Sequence, residues 1–157
     1  MRWIFTTLAT LLMLGVAAPA TAQIERILAL ETAPTGVVFE IAQGDESALS
    51  WALPKVERYT KELKAKVPDI KVAVVTHGRE QFGLVDGFDG SKAQKIRRKA
   101  LQMTQAGTKV HVCGGHNEMR GVPDAAFPKH INVAPSGPAQ VQALRDAGYA
   151  LVQIRKR

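Results

Sequence analysis

Five short runs rich in β-branched residues recur along this chain, and segments of helical periodicity separate them. The runs are Val37–Ile41, Lys71–Thr76, Lys109–Cys113, Ile131–Val133 and Tyr149–Ile154. Parallel strands need a crossover of a dozen or more residues, usually a helix, whereas antiparallel strands close through tight turns. Strict alternation therefore predicts a parallel sheet with helices packed on both faces. The chain reads as one three-layer α/β domain with a five-stranded, mostly parallel sheet. Strand order is not given by such a pattern.

The connecting segments carry their own punctuation. Gln43–Ser47 is a turn, after which Trp51, Leu53, Val56, Tyr59, Leu63 and Val67 recur at helical spacing. Pro54 falls inside that span, so the helix either starts there or is kinked there. Arg79 to Gly90 reads as a loop containing three glycines. Ser91 is expected to cap a helix reaching about Gln105, with Ile96, Ala100 and Met103 on one face. A short helix is expected around Asn117 to Arg120. Pro138 is placed to open a last helix with Val141, Leu144 and Ala147 on its apolar side. Asp86 and Asp89 sit in Asp-Gly-Phe-Asp-Gly, which has too few oxygen ligands for a calcium loop and reads as a turn.

Residues 1–22 read as a secretory signal, leaving 23–157 as the domain. Arg2 supplies the positive start, Ile4 to Ala18 the apolar stretch, and Ala20-Thr21-Ala22 an A-x-A cleavage site. The apolar stretch is shorter than the roughly 20 residues of a membrane span, so no stable membrane insertion is expected after cleavage. The expected location is periplasmic or secreted. Behind the signal, Ile24, Ile27, Leu28 and Leu30 fit a short apolar helix face or arm with no legible partner. The full chain carries a net charge of +7, of which the signal holds only Arg2. Export argues against nucleic acid as the partner of this charge, and the cluster Lys92, Lys95, Arg97, Arg98, Lys99 reads as a solvated helix face.

In parallel sheets, ligands bind beyond the carboxyl ends of the strands. Four of those ends are Ala42-Gln43-Gly44, His77-Gly78, Cys113-Gly114-Gly115 and Ala134-Pro135-Ser136. Cys113 is the chain's one cysteine. An exported lone thiol is reactive, metal-bound, paired with another chain, or buried and inert. Gly114-Gly115 lets the backbone turn beside the sulfur, a following short helix can direct N–H groups at it, and Arg120 can add charge or hold an anionic substrate. His77 is a candidate acid–base partner. His111 and Cys113 are two apart on one strand and so share a face, with His116 three residues beyond. His-x-Cys-x-x-His is therefore an alternative zinc or copper ligand set. No P-loop, dinucleotide fingerprint or serine nucleophile elbow is present, and no cofactor is implied.

His111-Val112-Cys113 with Arg120-Gly121-Val122 downstream resembles the reactive-cysteine segment of the DsrE/DsrF-like sulfur-relay proteins. Val74-Val75-Thr76-His77-Gly78 is similar to the strand-and-glycine motif that precedes it, and Ala143-Leu144-Arg145-Asp146-Ala147-Gly148-Tyr149 to the last helix–turn–strand. The resemblance spans roughly residues 36–154. It implies a DsrE-like domain that forms homo-oligomers, trimers or hexamers, and a cysteine that carries sulfane sulfur as a persulfide. Cys113 occupies that position. Gly114-Gly115-His116 stands where small apolar residues are usual in the family. The leading reading has Cys113 as the sulfur-accepting thiol with His77 as its catalytic partner, His77 and His116 modulating the thiol, and Gly114, Gly115, His116 and Arg120 around a small sulfur species, Arg120 favouring an anionic one, or around a sulfur-donor protein. The chain is then a carrier more than a turnover enzyme. A metal-binding module using His111, Cys113 and His116, or a non-catalytic oligomeric interaction protein, are the alternatives.

Overall fold

The structure is a computed structural model that describes residues 18–87 and 90–156. Most of the expected signal, residues 1–17, and Asp89 of the aspartate turn lie outside the described residues. Five parallel strands form one sheet: β1 (Gly36–Ile41), β2 (Lys71–Thr76), β3 (Lys109–Cys113), β4 (Asn132–Ala134) and β5 (Tyr149–Ile154). Their order is β4-β3-β2-β1-β5. The chain walks outward from β1 to β4, then returns across the sheet to place β5 on the far side of β1. That return makes the β1/β5 boundary the point where the strand order reverses.

The helices are α1 (Ala20–Leu28), α2 (Leu49–Lys66), α3 (Ser91–Gln105), α4 (Gly114–Met119) and α5 (Gly137–Asp146). Alternation along each strand sorts the side chains onto two faces. Phe39, Ile41, Val72, Val74, Val110 and Val112 pack with Leu53, Tyr59, Leu63, Ile96 and Met103 of α2 and α3. Val38, Ala73 and Val75 face the other way, onto Val141 and Leu144 of α5. The stack is three layers: α1, α2 and α3, then the sheet, then α5. The four apolar residues Val72–Val75 of β2 are all buried because both faces are covered, as expected of a parallel sheet.

Several local expectations change in the structure. Helix α2 begins at Leu49, so Pro54 neither starts it nor stops it. The bond forgone is the one to the carbonyl of Ser50, which lies on the exposed side of the helix. Ser91 is the first helical residue of α3, and Gly90 occupies the cap position without a side-chain bond. Within the supposed loop, Arg79–Leu84 forms a 3-10 helix that is buried from Glu80 onward. The short helix α4 starts directly at Gly114, three residues earlier than expected. Ser136 caps α5, accepting from the Ala139 N–H at 3.4 Å, with Pro138 in the first turn.

The arm behind the expected cleavage site has a partner. Helix α1 packs on α2 and on β5, with Ala20 and Ile24 in the main core. Gln23 Oε1 accepts the backbone N–H of Gln153 at 3.0 Å, which satisfies a donor on edge strand β5. Thr21 Oγ1 pairs with the Tyr59 hydroxyl at 2.9 Å. The A-x-A triplet Ala20-Thr21-Ala22 thus forms the first turn of α1. Among the described residues, no helix is long and apolar enough to cross a membrane.

Candidate functional site

Because all five strands are parallel, their carboxyl ends share one edge. Cys113 ends β3 and is the N-cap of α4. The β2–β3 register pairs Thr76 with Val112, so His77 stands beside Cys113 one step further on. Adjacent strands lie about 4.8 Å apart, and both side chains fall on the face covered by α5. Gly137, the first residue of α5, is in contact with both. A Cβ there would collide with His77 Cβ and stand 3.2 Å from Cys113 Cβ. Glycine is what allows the α5 N-terminus to settle on this pair. Cys113 is 8 % exposed.

His77 is held from β1. Its Nε2 lies 3.0 Å from Glu40 Oε1, and both side chains are 18 % exposed. The other carboxylate oxygen of Glu40 accepts from Gln153 Nε2 at 2.9 Å. Glu40 and Gln153 are register partners on β1 and β5. The hydrogen bond to Glu40 raises the His77 pKa above its ordinary 6.5; burial opposes this, while the charges of Glu40 and Glu80 and the backbone of His77 itself reinforce it. The same bond lowers the Glu40 pKa below 4.5 against the effect of burial, with Gln153, the His77 charge and Arg155 adding to the lowering. The side of Glu40 away from His77 opens on a crevice of about 390 Å³ at the β1/β5 boundary, lined by Gln43, Gln153, Arg155 and Lys156.

The backbone of Cys113 is fixed by a side chain that behaves like a missing strand. β2 ends at Thr76, so Cys113 has no residue of β2 to pair with. Gln81 takes that place: its Oε1 accepts the Cys113 N–H at 3.0 Å and its Nε2 donates to the Cys113 carbonyl at 3.1 Å. Nε2 also reaches Asn117 Oδ1 at 2.7 Å, and Asn117 Nδ2 donates to Asp124 at 2.9 Å. Gln81 and Asn117 are fully buried. Glu80, also fully buried, ties the ends of β1 and β2 together by accepting from the Gln43 N–H at 2.6 Å, the Gly78 N–H at 3.0 Å and the Thr76 hydroxyl. A Cβ on Gly78 would collide with that carboxylate and with the Gln43 backbone.

The other sequence-derived site residues scatter around this pair. His116 Nδ1 bonds the backbone carbonyl of His77 at 3.0 Å, and its ring meets Phe82 edge-on at 5.1 Å between centroids. It braces the end of β2 rather than facing the sulfur. His111 shares the α5 face with Cys113, but its Nε2 is buried without a partner, and burial lowers its pKa, with Lys109 adding to the effect. The alternative ligand set His111, Cys113 and His116 is therefore not gathered, and no group of three potential ligands occurs among the described residues. Gly114 and Gly115 are helical, not a sharp turn. The Gly115 N–H is taken by the Pro135 carbonyl at 3.0 Å, and both glycines border a separate cleft of about 550 Å³. Arg120 is exposed past the far end of α4, about 10 Å along the helix axis from Cys113.

Sequence reasoning missed Glu40, Gln81, Gly137 and Gln153. Glu40 left one legible trace, a carboxylate inside the otherwise apolar run Val37–Ile41. Gln81 left none.

The architecture now decides the comparison with known proteins. The structure of MTH1491, a protein of unknown function from Methanobacterium thermoautotrophicum, superposes with a TM-score of 0.60 at 19 % identity, covering 75 % of this chain and 97 % of that one. The crystal structure of the ychN protein from E. coli gives 0.51 at 10 % identity, covering 76 % and 99 %. The chain has a DsrE-like fold. At such identities the likeness speaks for the fold alone. No family model and no curated protein matches the sequence.

Proposed function

We propose that Cys113 is a sulfur-accepting thiol that carries sulfane sulfur as a persulfide. The observation that carries this reading is the juxtaposition of Cys113 with His77, at the ligand-binding edge of the sheet and under the first residue of α5. His77 takes the thiol proton. The Cys113 thiolate attacks the terminal sulfur of a donor R–S–SH. The donor's S–S bond breaks as the Cys113 S–S bond forms, and the leaving thiolate takes the electron pair and then the proton held by His77. One thiol and one persulfide enter, and one persulfide and one thiol leave, so no external oxidant is needed. The chain acts as a carrier in this scheme. The proposed periplasmic or secreted location rests on the signal pattern in residues 1–22.

Intact-mass measurement after exposure to polysulfide tests the proposal. Addition of sulfur atoms to the wild-type protein, removed by reductant and abolished in Cys113→Ser, is the expected result. No adduct with polysulfide, thiosulfate or a low-molecular-mass persulfide would overturn it.

A further inference from the structure

We infer that the layer formed by α2 and α3 is a docking face for an anionic phospholipid bilayer, on which the domain lies as a peripheral protein. The distribution of charge in space carries the inference. Helix α2 holds five basic and two acidic residues, and α3 holds five basic and no acidic ones. Their combined +8 exceeds the +7 of the whole chain, so all other residues together sum to −1. The two helices pack side by side on one face of the sheet. On the other face, α5 sets Arg145 against Asp146 and is neutral. The basic cluster of α3 is thus half of one face of a single sign, and more than the solvated surface of one helix.

Little on this face neutralises the charge. Glu62 pairs with Arg58 at 3.7 Å, and Glu57 is shared by Lys61 at 3.9 Å and Lys99 at 3.0 Å. Lys66, Lys92, Lys95 and Arg98 are exposed and form no ion pair among the described residues. The groove between the helices also has an apolar floor. Pro54 and Ile96 line a hollow of about 290 Å³ together with Lys95, Arg98 and Lys99. Ala65 and Met103 line a second, of about 410 Å³, together with Lys61 and Lys64. Leu101, one turn past Arg98, is 39 % exposed.

Apolar hollows set between cations suit a lipid surface. The charged heads of lysine and arginine meet phosphates while their stems and a leucine rest against acyl chains. Each cation at an anionic surface strengthens binding about fivefold, and the effect fades within a Debye length. Single-stranded nucleic acid calls for exposed aromatic platforms. Helix α3 has no aromatic residue, and in α2 Tyr59 is buried and Trp51 packs against the core. The expected signal in residues 1–22 also directs the chain to a bilayer. Docking through α2 and α3 turns the opposite face, where α5 covers Cys113 and His77, toward the aqueous side. The inference is independent of the reaction at Cys113.

The test is flotation of the full chain with vesicles of phosphatidylcholine, and of phosphatidylcholine mixed with anionic phosphatidylglycerol. Binding to the mixed vesicles should exceed binding to neutral ones about tenfold or more, and that excess should vanish as salt rises from about 0.1 to about 1 M. K61Q/K95Q/R98Q should weaken binding to the mixed vesicles about a hundredfold. K109Q/K129Q/R145Q removes the same charge from other parts of the domain and should weaken it less than about fivefold. Equal losses in the two triple variants would mean that net charge alone matters and would overturn the inference. Equal binding of wild type to neutral and mixed vesicles would overturn it as well. So would tighter binding, at the same salt, to a duplex DNA oligonucleotide or to polyglutamate. Should K61Q/K95Q/R98Q fail to fold, acetylation of wild-type lysines decides. Mixed vesicles should shield Lys61 and Lys95 and leave Lys109 and Lys129 open; uniform shielding, or none, overturns the docking face.

Discussion

Replacing Gln81 tests whether a side chain really stands in for a strand. In Gln81→Ala, the Cys113 N–H loses its acceptor, and the Cys113 carbonyl and Asn117 Oδ1 lose a donor. An orphaned buried donor costs about 1–3 kcal/mol. Truncating a fully buried side chain of this size leaves a cavity and costs about 2–5 kcal/mol, partly offset where water can enter a polar void. The sum expected for Gln81→Ala is about 3–4 kcal/mol, a large share of the stability of a single domain. Gln81→Glu separates the two contributions. It preserves shape and keeps the acceptor for the Cys113 N–H, but sets an oxygen against two other oxygens. Its cost at neutral pH is expected at about 2–3 kcal/mol. That cost shrinks as pH falls, because a protonated carboxyl donates again. Gln81→Ala has no such pH dependence. Urea unfolding with an unchanged m-value gives both numbers, and thiol labelling reports the release of Cys113. A loss below about 1 kcal/mol for Gln81→Ala, with Cys113 still protected, would refute the strand-substitute reasoning.

Three further outcomes follow from the packing and the charges. Gly137→Ala drives a methyl into His77 and against Cys113, so a loss of about 1–3 kcal/mol and slower Cys113 alkylation are expected from denaturation and labelling. Phe39→Ala removes a fully buried ring stacked on Tyr59 at 6.3 Å and should cost about 3–5 kcal/mol; a drop under 1 kcal/mol would contradict the core assignment. The Glu40–His77 pair has a signed pH signature. The lowered Glu40 pKa contributes stability that is present above 4.5 and lost as pH falls through the folded-state value. The raised His77 pKa contributes stability that is present below 6.5 and lost as pH rises through its folded-state value. The stability difference between wild type and the double variant E40Q/H77N should therefore peak between those two pH values, and a flat difference would exclude the pair.

The strands β2, β3 and β5 were legible in advance because each is a compact β-branched run bounded by turn residues, and tertiary burial agrees with that local signal. The segment 79–84 was not, because its burial comes from what lies above it. Gly83 and Gln81 read as loop residues until Glu46, Asn117 and Cys113 close around them. The start of helix α2 stayed open between Pro54 and an earlier residue, because a local rule about proline does not say how little a lost bond costs on an exposed helix face. Within the site, Cys113 and His77 were found from their place at strand ends. Their supports were not, since Glu40 lies 37 residues from His77 and Gln153 lies 113 residues from Glu40.

Periodicity and punctuation are properties of neighbouring residues, so the chain alone determined the alternation of strands and helices, the parallel sheet and the edge at which its one cysteine sits. What surrounds that cysteine is a matter of strand order. Only the return of β5 to the side of β1 brings Gln153 to Glu40. Only the register of β1, β2 and β3 carries Glu40 to His77 and His77 to Cys113. Only the close approach of α5 at Gly137 encloses the pair. Contacts between residues far apart in the chain leave no mark on local pattern, and the environment of the thiol is made entirely of such contacts.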